Sequence, residues 1–204
     1  GTIMADLGQG GRDDAHIRTA PASAVIEEAA APHADRGKRL VVRVAGVPVE
    51  PGGEDQPVLR RRPELIHGLR NVVQNAVDFA AGTVWIDIDR VSEGLRIRVG
   101  DDGPGFSPDL LPRIGEPYVS TRARGSRAAE EQGAYEGMGL GLFIARTLLE
   151  RTGARVSFAN GPDRKFLDSR ADMPAEAATP PGALIEIVWP PGSIEADPGE
   201  ARGA

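Results

Sequence analysis

TVWIDIDRVSEGLRIRVGDDGPGF, Thr83–Phe106, contains two alternating runs separated by a short turn. Val84, Ile86 and Ile88 recur at every second position in the first run, and Leu95, Ile97 and Val99 do so in the second. A period of two marks a strand with one buried face. Ser92, Glu93 and Gly94 lie between the runs, so an antiparallel hairpin is expected. Its apolar face needs a cover, and amphipathic helices on either side in the sequence are the available one.

Upstream, PELIHGLRNVVQNAVDFAAG opens with Pro63 at a helix start and closes at Gly82. Leu65, Leu69, Val72, Val73, Ala76 and Ala80 follow helical spacing. His67, Asn71, Asn75 and Asp78 step by four, four and three, which puts them on one face of that helix. Ser23–Asp35 reads as a helix with Ser23 at its N-cap and Pro32 ending or kinking it, and Arg39–Gly46 reads as a strand. Downstream, a region poor in periodicity from about 118 to 136 reads as a long mobile loop, followed by a helix at 139–152. ARVSFAN and ALIEIVWP read as the last strands, with a polar, Pro-rich insert (161–181) between them. Trp85 and Trp189 fall in strand patterns and are expected in the core or an interface.

Composition narrows the function. A chain of 204 residues with 40% hydrophobic content can bury one sizeable core. A formal net charge of −6 argues against a general nucleic-acid binder, since phosphate backbones reward basic surfaces. The absence of Cys removes disulfides, thiolate metal sites and a thiol nucleophile together. No apolar run is long enough to span a bilayer, so the expectation is a soluble piece without direct membrane contact.

Three short motifs carry chemistry. GMGLGLFIARTLLE sets Gly137, Gly139 and Gly141 before a helix. Backbone freed of side chains beside a helix N-terminus suits phosphate, and the same run suits a tight turn or close helix packing. In VGDDGPGF two carboxylates emerge at a strand end into a Gly-Pro-Gly turn. They can accept from an exocyclic amino group beside a planar base, or stand solvated in an Asp-Gly turn. The Asn71/Asn75 face offers amide oxygens suited to Mg²⁺, or forms an exposed polar stripe.

In this order the motifs resemble the ATP-binding domain shared by sensor histidine kinases, gyrase-type topoisomerases, Hsp90 and MutL. RNVVQNAVDFA is similar to that family's N box, DDGPGF to its G1 box, EPYVSTR to its F box and GMGLGLFIA to its G2 box. The resemblance covers roughly residues 22–190, and the form of Glu116–Arg122 points to the histidine kinase branch. The lid composition and VQNAVDFA resemble the RegB/PrrB redox-responsive kinases. The fold this implies is an α/β (α+β) two-layer sandwich: a mixed, largely antiparallel sheet covered on one face by helices.

By the same resemblance, Asn75 holds Mg²⁺ between the phosphates of ATP, and Asp101 binds the adenine amino group with Gly103 and Gly105 shaping the base pocket. Tyr118, Thr121 and Arg122 belong to the nucleotide site. Gly137, Gly139 and Gly141 shape the phosphate-side loop, while Leu140 and Leu142 help close the helix onto the sheet. Asn71 stands where hydrolytic relatives carry a Glu that activates water, and an amide cannot act as that base. Gly182 matches the last glycine motif only loosely. The alternatives on this fold are a stand-alone ATPase or protein serine kinase, or a degenerate interaction module.

A kinase of this type transfers phosphate to a His on a two-helix dimerisation domain, followed by an acid and a Pro, and none of His16, His33 and His67 has that setting. The expected organisation is a linker with the remnant of a dimerisation helix (1–21), an ATP-binding catalytic domain (22–190) with a lid at about 118–136, and a disordered tail (191–204). The expected partners are ATP or ADP, the His-bearing dimerisation domain and a response regulator. The expected location is the cytoplasmic side of an inner-membrane protein.

Overall fold

Six strands form one sheet whose helix-facing side is almost wholly apolar. The computed structural model describes residues 18–49, 55–114, 128–161 and 182–200. In chain order the elements are β1 (Thr19–Pro21), α1 (Ala22–Ala30), β2 (Arg39–Val44), β3 (Val47–Pro48), β4 (Val58–Arg60), α2 (Pro63–Phe79), β5 (Thr83–Val91), β6 (Gly94–Asp101), α3 (Ala128–Arg151), β7 (Arg155–Asn160) and β8 (Ala183–Trp189). The main sheet runs β3-β2-β5-β6-β8-β7, with β2 and β5 parallel and every other neighbouring pair antiparallel. The mixed, largely antiparallel sheet with helices is therefore as expected.

The β5–β6 hairpin has the anticipated register, with Val91 opposite Gly94 and Ile88 opposite Ile97. Val84, Ile86, Ile88, Leu95, Ile97 and Val99 are buried beneath α2 and α3, which contribute Leu65, Leu69, Val72, Leu142 and Leu149. Several alternate positions on these strands are charged: Asp87 and Asp89 on β5, Arg96 and Arg98 on β6. Arg43, Asp87, Arg98 and Glu186 occupy matched positions on β2, β5, β6 and β8. Arg43 pairs with Asp87 at 2.5 Å and Arg98 with Glu186 at 2.7 Å, a row of alternating charge across the second face. Cross-strand pairs of this kind fix the register, because a one-residue slip would drive these groups into the core. Trp189 is fully buried, and its indole N–H donates to Thr152 Oγ1 at 2.8 Å.

Several expectations need correction. Ser23 is not an N-cap: the helix begins at Ala22 after Pro21, and Ser23 is buried within the first turn. Pro32 does end the α-helix, which passes into a short 3-10 turn at Ala31–His33. The expected linker ends earlier, because Thr19–Pro21 pairs antiparallel with β4. Residues 191–200 are not a disordered tail. Ile194 is fully buried, Arg60 N donates to Ile194 O at 2.7 Å, and Ala196 N donates to Val58 O at 2.8 Å. The Arg60 guanidinium also reaches Glu200 at 2.9 Å, tying this segment to β4. Ile194 is the single large apolar residue in GSIEADPGE and sets up no periodicity, so a segment held by long-range pairing leaves no local signal.

The last helix also starts earlier than expected. α3 includes residues 128–136, where the sequence pattern predicts a loop, and it runs through Gly137, Gly139 and Gly141. Ala128, Ala129, Glu130, Glu131 and Gln132 are strong helix formers, which favours helix upstream of the glycines even though each interior glycine costs roughly 1 kcal/mol. The rest of the expected lid, residues 118–127, lies outside the described residues, as do most of the insert (162–181) and the N-terminal residues 1–17.

Candidate nucleotide-binding site

β6 ends at Asp101, and the chain turns there through DDGPGF. Asp101 is 2% exposed. Its Oδ1 accepts from Gly103 N at 2.8 Å, and Ala183 N also donates to the carboxylate. Burial penalises the charged form more than these two donors favour it, and the neighbouring Asp102 charge adds to the rise, so the pKa is raised to about 6. Asp102 behaves oppositely. Burial acts to raise its carboxyl too, but the backbone amides of Gly82 (2.9 Å) and Thr83 (3.1 Å) outweigh it and the pKa is lowered. Of the two acids, Asp102 fastens the α2–β5 connection, and Asp101 is the buried one at the turn.

The glycines of the turn are required by close approach. A Cβ on Gly103 would collide with Phe79 O, at the last residue of α2. Gly105 has φ +79°, a conformation that side-chain-bearing residues rarely adopt, and a Cβ there would stand 2.7 Å from Asn160 Oδ1. Gly182, the loosest motif match, lies against the same place. Its N–H donates to Asp101 O at 2.9 Å, and a Cβ would come within 2.5 Å of Asp101 Oδ1 and 2.6 Å of Gly103 O.

α2 brings the second group of residues. Asn75 is 7% exposed, one turn before the Phe79 that meets Gly103. Asn71 is half-buried, and its Nδ2 donates to His67 O at 3.0 Å within the helix. Asp78, on the same face, pairs instead with Arg36 at 2.5 Å, and His67 is exposed. Asn75 thus lies one helical turn from the residue that meets Gly103, while Asp78 is engaged by Arg36. On α3, Leu142 is fully buried and packs the helix onto the core. Leu140 is 61% exposed, which corrects its expected part in that closure: two positions apart on a helix means nearly opposite faces. A Cβ on Gly141 would meet nothing within 4 Å. Tyr118, Thr121 and Arg122 lie outside the described residues.

Sequence reading missed Asn160, at the end of β7, whose side chain grips the turn at Phe106. The only local signal there was the Asn-Gly pair Asn160–Gly161, a turn marker. A separate apolar groove between α1 and β2, lined by Ile26, Ala30, Leu40, Val42 and Val49, shares no residue with this site. Among the described residues no helix is long and apolar enough to cross a membrane.

Known proteins resemble the chain over the same region. Residues 61–191 match the family described as histidine kinase-, DNA gyrase B-, and HSP90-like ATPase. The sensor histidine kinase RegB of Cereibacter sphaeroides is 49% identical over 188 residues, which are 92% of this chain and 39% of that relative. The sensor protein PfeS of Pseudomonas aeruginosa is 35% identical over 99 residues, 48% of this chain and 20% of its own. Among solved structures, the mycobacterial sensor histidine kinase MprB has a TM-score of 0.54 at 20% identity, covering 84% of this chain and 97% of that one. The ATP-binding domain of PrrB from Mycobacterium tuberculosis has a TM-score of 0.52 at 18% identity, covering 85% and 96%. The structural likenesses establish the fold, and the match over more than half the sequence establishes the kinship: the chain belongs to the histidine kinase-, DNA gyrase B-, and HSP90-like ATPase family.

Proposed function

We propose that this chain is the catalytic domain of a two-component sensor histidine kinase, which binds Mg-ATP and passes its γ-phosphoryl group to a His on a dimerisation domain. The observation that carries this reading is the Asp101 carboxylate, buried at the end of β6 beside backbone bared by Gly103, Gly105 and Gly182. A buried acceptor next to bare backbone suits the exocyclic amino group and flat face of adenine. A guanine carbonyl at the same place would leave that acceptor unpaired. The kinship with sensor histidine kinases of similar sequence supports the same direction.

The roles of the remaining residues follow from their chemistry. The amide of Asn75 suits Mg²⁺, a hard cation that keeps waters and takes further oxygens from phosphates. Among the described residues no group of three or more His, Cys, Asp or Glu stands together, and Asn75 is the oxygen donor this reading assigns to the ion. When bound, that ion would neutralise charge on the phosphates. Asn71 cannot take a proton from water, which favours transfer over hydrolysis. In the transfer, a nitrogen lone pair of the acceptor His attacks the γ-phosphorus, the bond to the β–γ bridging oxygen breaks, and ADP leaves. Gly137, Gly139 and Gly141 with Tyr118, Thr121 and Arg122 would lie on the phosphate side. The catalytic unit runs from about Thr19 to Glu200. It acts on the cytoplasmic side of an inner-membrane protein under redox control and feeds a response regulator.

Calorimetric titration with ADP and Mg²⁺ tests the reading, with GDP as the control ligand. The expected outcome is binding of ADP but not GDP, weakened by Mg²⁺ removal. Asp101→Asn should lower ADP affinity by roughly ten- to a hundredfold, the worth of one hydrogen bond to a charged group. Equal binding of ADP and GDP would reject the adenine site.

A further inference from the structure

We propose that Asn160 is a positioning residue of the base pocket, holding the DDGPGF turn in its nucleotide-binding shape through a two-point clamp on Phe106. The inference rests on the reading of Asp101 as the adenine acceptor. Asn160 Oδ1 accepts from Phe106 N at 2.7 Å, and Asn160 Nδ2 donates to Phe106 O at 2.8 Å. One carboxamide thereby satisfies both backbone groups of a single residue 54 positions away. The pair of contacts also fixes the amide orientation, since the flipped form would set nitrogen against N–H and oxygen against carbonyl. The Phe106 ring is buried and stands edge-on to Phe158 of β7, the strand that ends at Asn160, with centroids 6.2 Å apart and an interplanar angle of 86°.

The turn needs such a clamp. Gly103, Pro104 and Gly105 belong to no strand or helix, and two glycines in three residues leave a large conformational choice. At the Asp101 end, the chain is fastened by Gly182 N, and Gly161 N in turn donates to Gly182 O at 2.8 Å. At the Phe106 end it is fastened by Asn160. Both anchors therefore sit at the base of the β7–β8 insert, and they grip the turn at either end. The bare backbone between them is already shaped before a nucleotide arrives, so the cost of ordering is not charged to binding. Only a carboxamide of this length serves. Asp would put a second acceptor against Phe106 O, and Ser is too short to meet both groups.

The test is an ADP titration of the full chain in the wild type, Asn160→Ala and Asn160→Asp, with amide hydrogen exchange followed at Phe106 and in β6. The expected result is about tenfold weaker ADP binding in Asn160→Ala, and at least as large a loss in Asn160→Asp despite its near-identical shape. Exchange should quicken at Phe106 while Ile97 and Val99 keep their protection. An Asn160→Ala titration that overlays the wild type overturns the proposal. So does a loss of affinity accompanied by lost protection throughout β6, which would make Asn160 a residue of general stability. A wild type that does not distinguish ADP from GDP removes the adenine site itself, and the clamp's role falls with it.

Discussion

The two ends of the candidate site are built differently. At the base end, Asp101, Gly103, Gly105 and Gly182 come together where β6 and β8 meet the end of α2, and most added atoms would strike backbone. At the phosphate end, Gly141 lies inside α3 with open space where a side chain would be. Asn71 bonds only to its own helix among the contacts seen. The base end is thus preformed by the sheet, whereas among the described residues Gly141 and Asn71 show no comparable contact with other elements. Preformed sites lose affinity when their walls are changed; unconstrained ones tolerate the same change.

Gly182→Ala should have the largest effect. Its Cβ would lie 2.5 Å from Asp101 Oδ1, 2.6 Å from Gly103 O and 2.7 Å from Asp101 O, and two of these are backbone atoms that cannot rotate away. Overpacking of this kind costs roughly 1–3 kcal/mol, which corresponds to a fall of several degrees in the thermal midpoint of a chain this size. ADP binding should fall by more than about tenfold, because the displaced atoms are those around the acceptor. A variant that melts and binds like the wild type would mean that the two ends are equally yielding.

A smaller effect is expected from pH. With Asp101 titrating at about 6, its carboxylate is the majority form only above that value. Affinity for adenosine, which carries no titrating phosphate, should fall roughly tenfold between about pH 8 and pH 5, and Asp101→Asn should abolish that dependence. Stability should move the other way. The folded protein holds the proton more tightly than the unfolded chain, so this group costs stability as pH rises from about 4 to 6, and the full cost remains above that. Asp101→Asn should therefore leave the thermal midpoint near pH 8 unchanged or higher while adenosine binding is lost. A midpoint that drops with affinity would make Asp101 a structural acid.

The same contrast separates what the sequence reveals from what it hides. The β5–β6 hairpin and α2 are legible because their spacing repeats locally, and Asp101, Gly103 and Gly105 are legible because four motifs occur in order. Asn160 is not, and Gly182 is so only as a loose motif match, since each acts on a turn far away in the chain, and strand ends give no sign of which turn they will meet. β4 and its partners are hidden for the same reason: Val58–Arg60 is too short for a period, and its neighbours Thr19–Pro21 and Ile194–Ala196 come from opposite ends of the chain. The start of α3 was misread on a different ground. Residues 128–136 lack an apolar period, and the helix-forming run at Ala128–Gln132 is a signal of propensity and not of spacing.

Gly141→Ala should have the smallest effect and the most informative sign. The added methyl meets no atom within 4 Å, and the position is helical, so the substitution should stabilise the fold by roughly 0.5–1 kcal/mol through propensity alone. Adenosine affinity should stay within about twofold, because the base end is untouched. ATP affinity then decides what the glycine is for. If it also stays unchanged, the helical form of this segment is compatible with bound phosphates, and neither binding nor packing requires a glycine at this position. If it falls while stability rises, the segment must leave the helix to reach the phosphates, and alanine opposes that departure by the same propensity that stabilises the free protein.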